Sequence, residues 1–221
     1  MKRAAAEILR EYGPFPGIDV VHGVTFDGSH VWFASQDRLN ALDPASGEIV
    51  RSLEVAARAG TAFDGRYLYQ IANGRIQKID PATGQIVHTL PVPPGSHASG
   101  LAWAEGTLWV GQEQERKIHE IDPETGAILR TLKSDRFVTG VTWSEGELWH
   151  ATREGGDSEL RRVDPETGEV QERLDMPPGA DVTGLEADGG DRFFAGASSG
   201  KLRAVRRPGR SSRKPAGSRE K

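Results

Sequence analysis

Ile76-Gln77-Lys78-Ile79-Asp80-Pro81-Ala82-Thr83-Gly84-Gln85-Ile86-Val87-His88-Thr89-Leu90 sets two short apolar runs on either side of an Asp-Pro turn. The turn phrase recurs as Asp43-Pro44-Ala45-Ser46-Gly47, Asp122-Pro123-Glu124-Thr125-Gly126 and Asp164-Pro165-Glu166-Thr167-Gly168. The four aspartates are 37, 42 and 42 residues apart. Asp caps backbone N–H groups, Pro presets φ at the next position, and Gly supplies the positive φ that closes the loop. Such a loop joins antiparallel strands. Four aspartates at one turn position are therefore turn formers rather than a catalytic set.

A second pattern lies upstream of each turn. It reads His22-Gly23-Val24-Thr25-Phe26-Asp27-Gly28, Gly60-Thr61-Ala62-Phe63-Asp64-Gly65, Gly100-Leu101-Ala102-Trp103-Ala104-Glu105-Gly106, Gly140-Val141-Thr142-Trp143-Ser144-Glu145-Gly146 and Gly184-Leu185-Glu186-Ala187-Asp188-Gly189. The acidic-Gly pair is a hairpin turn, and an apolar second strand follows it. Each unit thus holds four strands, and a repeat near 40 residues with four strands predicts a β-propeller. The fifth unit lacks its Asp-Pro turn and last strand. Glu7-Ile8-Leu9-Arg10 at the N-terminus matches Glu48-Ile49-Val50-Arg51 and Ala127-Ile128-Leu129-Arg130. The fold class expected is all-β: five blades of four antiparallel strands, with the last blade closed by the N-terminal strand.

Composition narrows the remaining choices. The chain has 221 residues, 36% of them hydrophobic, and no cysteine, which removes disulfides and thiolate metal ligands. The first residues show no apolar leader and no window approaches a membrane span, so a cytoplasmic monomer without membrane contact is expected. Residues 1–207 form one domain carrying 23 basic and 31 acidic residues, and residues 208–221 add five basic residues and one acid. That tail reads as a disordered basic arm. The acidic ring argues against a nucleic-acid partner.

In a propeller the starts of the inner strands and the ends of the second strands meet around the mouth of the channel, where ligands sit. His22 and His97 enter inner strands there, and Gln70, Gln112 and His150 lie in second strands. Asp19, Arg58, Arg136 and Asp181 lie on the loops leading in. These polar residues are the expected contacts for a small molecule or peptide. Three histidines at one face suit zinc, but they occupy three different repeat positions, so their rings need not converge. No metal and no cofactor is expected. Glu186 is the exception in a column otherwise filled by Thr25, Ala62, Ala102 and Thr142. A carboxylate on an inner strand shifts its pKa toward the acid–base range unless it is paired. Glu186, with His22, is the catalytic candidate; an ion pair with Arg58, Arg136 or Lys201, or simple exposure in the channel, is the bland alternative. Gly196-Ala197-Ser198-Ser199-Gly200 matches a nucleophile-elbow pattern, but a strand follows where that motif needs a helix.

The strand pattern resembles two propeller families, the five-bladed plant- and bacterial-type glutamine cyclotransferases and the seven-bladed streptogramin B lyase-like proteins. Leu68-Tyr69-Gln70 and Ile121-Asp122-Pro123 match the first, and His22-Gly23-Val24 is similar to a segment of the second. The first resemblance implies acyl transfer, the cyclisation of an N-terminal glutamine; the second implies a lyase. The sequence departs from the cyclotransferase pattern at Trp32-Phe33-Ala34, at His150-Ala151-Thr152 and at Ser99, and from the lyase pattern at Ser35. Neither catalytic set is intact, and a non-catalytic protein-interaction scaffold is the reading that competes with both.

Overall fold

The computed structural model describes residues 1–95 and 97–209, and these contain 21 strands and no helix. In chain order the first two strands are β1 (Lys2–Ala5) and β2 (Ile8–Tyr12). Blade 1 is β3 (Val24–Phe26), β4 (Val31–Ser35), β5 (Arg38–Leu42) and β6 (Ile49–Leu53). Blade 2 is β7 (Thr61–Phe63), β8 (Leu68–Ala72), β9 (Arg75–Ile79) and β10 (Ile86–Pro91). Blade 3 is β11 (Ala98–Ala104), β12 (Thr107–Gln112), β13 (Lys117–Ile121) and β14 (Ile128–Lys133). Blade 4 holds β15 (Phe137–Ser144), β16 (Glu147–Glu154), β17 (Asp157–Val163) and β18 (Val170–Asp175). Blade 5 holds β19 (Gly184–Ala187), β20 (Arg192–Gly196) and β21 (Leu202–Arg206), and β2 is its outer strand. β2 pairs antiparallel with β21, Ile8 opposite Val205 and Tyr12 opposite Leu202. The five-bladed ring closed from the N-terminus is the architecture that the repeat predicts.

The turns work as their residues dictate. Asp80 Oδ1 accepts from Ala82 N at 2.7 Å, and Gly84, at φ +75°, donates its N–H to Asp80 O at 2.8 Å. In the inner hairpin of blade 1 the acid does two jobs. Asp27 caps Ser29 N and His30 N, and its second oxygen accepts from Trp32 Nε1 at 2.7 Å. Trp32, Trp109 and Trp149 are buried between blades, and Trp149 meets Phe193 of blade 5 at 5.0 Å between centroids. One repeat position supplies all three, which is a packing role.

Inner strands approach too closely for side chains. A Cβ on Gly23 would lie 2.2 Å from Ala59 O, on Gly60 2.4 Å from Leu101 N, and on Gly100 2.6 Å from Val141 N. On Gly140 it would lie 2.7 Å from Leu185 N, and on Gly184 2.1 Å from His22 O. Each glycine therefore packs on the next blade and the fifth returns to the first. A narrow ring requires this column. Gly184→Ala should cost about 1–3 kcal/mol by forcing the inner strands apart, read as a lowered denaturation midpoint; an unchanged midpoint would show that the seam yields freely.

The lower perimeter has its own repeat. Arg10 donates to Pro44 O, Ala45 O and Ser46 O, Arg51 to Ala82 O, and Arg130 to Pro165 O, while His88 Nε2 contacts Glu124 O. Four of the five outer strands thus tie down the Asp-Pro turn of the next blade. Blade 5 has no such turn, and the corresponding residue of blade 4 is Glu172. Here the chain does something the repeat does not foretell: β1 adds parallel to β18 as a fifth strand, with Lys2 Nζ 3.0 Å from Glu172. Arg207 completes this seam from the other end of the domain, buried and bonded to Ser144 and to Glu147 Oε2 at 2.9 Å. Most of the expected basic tail, residues 210–221, lies outside the described residues.

Candidate functional site

Ring closure brings the inner-strand column together around Glu186. Thr142 of blade 4 donates to Glu186 Oε1 at 2.8 Å, and Thr25 of blade 1 donates to Oε2 at 3.0 Å. Ala187 N donates at 3.0 Å both to Glu186 Oε1 and to Thr142 Oγ1. None of the cations considered from sequence reaches it: Arg58 pairs with Asp37, Arg136 with Glu159, and Lys201 with Glu11. Among the described residues no ion pair involves Glu186. Its pKa is pushed up to about 8, because loss of solvation outweighs the three hydrogen bonds that favour the charged form. The residue retains some accessible surface. It is therefore a carboxylic acid at neutral pH, poised to exchange one proton.

Thr25 and Thr142 are the functional neighbours that sequence reasoning passed over. They were visible as the polar members of the Glu186 column. Only the adjacency of blade 5 to blade 1 makes both of them partners.

The other candidates separate. His22 is half-buried at the entry to β3, its carbonyl against Gly184, and burial followed by the nearby Arg58 charge lowers its pKa. It stays neutral at physiological pH beside the same seam as Glu186. His97 is exposed before β11. His150 is buried, with its pKa pushed down to about 3 by burial and by the Arg161 guanidinium. Among the described residues, no three His, Asp or Glu side chains are grouped to hold a metal ion.

Gln70 and Gln112 do not line the channel mouth as ligand contacts would. Both are fully buried. Gln70 accepts from Thr61 Oγ1 at 2.6 Å and donates to Ala59 O and Ile71 O. Gln112 donates to Pro93 O and Pro94 O and meets His119 Nε2 at 2.9 Å. Each amide bonds carbonyls of an incoming loop and pins that loop to its blade. The Gly196–Gly200 segment is a turn between β20 and β21, where a nucleophile elbow would open a helix.

The fold matches solved structures. Glutaminyl cyclase of Myxococcus xanthus superposes with a TM-score of 0.76 at 20% identity, over 93% of this chain and 97% of that one. The WD40 β-propeller domain of Doa1 matches at 0.56 and 16% identity, over 84% of this chain and 63% of that one. A chain of the mitotic checkpoint complex matches at 0.51 and 18%, with the same coverage. These identities establish the fold alone. No curated protein sequence matches the chain. The sequence itself is assigned to a family: residues 72–212 match the PQQ_2 family, described as outer membrane protein assembly factor BamB, and the chain belongs to it.

Proposed function

We propose that the channel is the site of a proton-assisted acyl transfer on a small amine or peptide, with Glu186 as the acid–base group. The observation that carries this reading is the Glu186 carboxyl itself: on an inner strand, without a cationic partner among the described residues, oriented by Thr25, Thr142 and Ala187 N, and held near pKa 8. Groups tuned toward the working pH are those that acid–base catalysis uses. The shared architecture with a glutaminyl cyclase supports cyclisation of an N-terminal glutamine as the reaction. The α-amine attacks the side-chain amide carbon, the lactam C–N bond forms and the amide C–N bond breaks. Glu186 gives its proton to the departing ammonia and recovers one from the ring nitrogen, so the step balances.

Ammonia release from a glutamine-initiated peptide tests it. Glu186→Gln should lower kcat/KM by about 10²–10⁴, and the wild-type rate should fall as pH rises through about 8, where the acid loses its proton. Release at equal rates by wild type and variant would overturn the assignment. A partner-binding scaffold is the second reading, favoured by Val50, Val87 and Leu129, aliphatic side chains exposed at one repeat position of three outer strands. Absence of turnover together with capture of a partner that Val87→Asp abolishes would install it instead.

A further inference from the structure

The repeat carries an internal control that points to a second site. In each blade the loop entering from the previous blade crosses over polar groups of the second and third strands. In blade 2 Gln70 bonds Ala59 O of that loop, in blade 3 Gln112 bonds Pro93 O and Pro94 O, and in blade 4 Arg161 pairs with Asp135. In blade 1 Ser35 and Asn40 stand at the Gln112 and Arg161 positions, Ser52 faces Asn40 from the next strand, and the Gln70 position is Phe33. Asn40 Nδ2 donates to Ser35 Oγ at 2.7 Å, and Ser52 Oγ donates to Asn40 Oδ1 at 2.7 Å. Their side chains bond one another and no group of the incoming loop. That loop stands off and forms the wall of a cleft of about 420 Å³, with Ser35, Asn40 and Ser52 in its lining.

Hydrogen-bonding capacity is left over on these three residues. Asn40 retains one N–H and one lone pair, the Ser35 hydroxyl retains its proton, and Ser52 retains its lone pairs. The wall is charged with both signs. Asp19 makes no ion pair among the described residues, and Arg38 has only Glu54, an exposed partner at 3.5 Å. Asp37, also in the lining, is taken by Arg58 at 3.1 Å. A volume of this size suits a small molecule. The cleft thus offers a carboxylate with no ion pair among the described residues, a loosely held guanidinium, and neutral amide and hydroxyl groups in one lining.

We propose that this blade 1 cleft binds a free zwitterionic amino acid with a polar side chain, its ammonium on Asp19, its carboxylate on Arg38 and its side chain on Ser35, Asn40 and Ser52. The site shares no residue with Glu186 and its partners, and it stands whether or not the channel is catalytic.

The experiment is calorimetric titration with L-asparagine, alongside N-acetyl-asparagine, which lacks the ammonium, and asparaginamide, which lacks the carboxylate. L-Asparagine should bind, and each blocked analogue should bind about 10- to 100-fold more weakly, the worth of one charge-assisted bond. Asp19→Asn and Arg38→Gln, both at exposed positions, should erase the preference over N-acetyl-asparagine and over asparaginamide respectively. Ser52→Ala should weaken all three ligands, and Glu186→Gln should change none. No binding of L-asparagine at millimolar concentration would overturn the proposal. So would binding that is indifferent to Asp19 and Arg38, or binding that Glu186→Gln removes.

Discussion

Deleting residues 1–12 should abolish cooperative folding, with loss of the near-ultraviolet circular dichroism signal and of any sharp thermal transition. β2 is the outer strand of blade 5, and its removal bares the whole β21 edge. It also removes Tyr12, which is packed with Phe15, Val21 and Phe194 in the core between blades 5 and 1, and Ile8, which is packed against the core between blades 4 and 5. The Arg10 bonds to the turn of blade 1 go with them. An open sheet edge in a ring is also an aggregation template. The expected loss is comparable to the whole folding free energy, about 5–15 kcal/mol. Deleting residues 1–5 alone is the control. β1 is exposed, its Arg3–Asp175 pair is made at the surface, and the buried Glu172 that loses Lys2 keeps Arg162 at 3.5 Å, so its loss should lower Tm by only roughly 2–4 °C. If the longer deletion melts as sharply and as high as the shorter one, β2 is not what closes the ring.

Glu186→Gln should make the protein more stable in alkaline solution while leaving it unchanged in acid. The folded pKa is raised, from an ordinary 4.5 to about 8. A raised carboxyl pKa means that the native state holds a proton the unfolded chain has released. Stability is therefore full below about pH 4.5 and is lost progressively as pH rises through the window up to about 8. Above it the penalty is constant. The shift corresponds to at most about 5 kcal/mol, and to less where channel water solvates the carboxylate. The glutamine has no proton to lose, so its unfolding free energy should lack this decline. Urea titrations at pH 4.5 and pH 9 provide the comparison. Parallel pH profiles for the two proteins would show that Glu186 ionises freely, and the acid–base role would lose its basis.

Turn chemistry and strand periodicity are local properties, and the sequence determined them by itself. Asp80 and Gly84 fold their turn through contacts within five residues, so four copies of the phrase predict four hairpins before any tertiary contact is known. The match of Glu7–Arg10 to the other outer strands carried the closure for the same reason: a strand equivalent to its repeats needs an equivalent place. Burial and convergence are not local. Gln70 and Gln112 read as ligand contacts because polar residues in second strands break the pattern. Only the path of the incoming loops shows that both amides are consumed inside the protein. β1 went unforeseen because no repeat contains a fifth strand; the seam where blade 5 lacks its turn makes room for it. Glu186 stood out in its column, but its state was decided by ring closure, which sets Thr25 and Thr142, 161 and 44 residues away in the chain, against one carboxyl group and buries it.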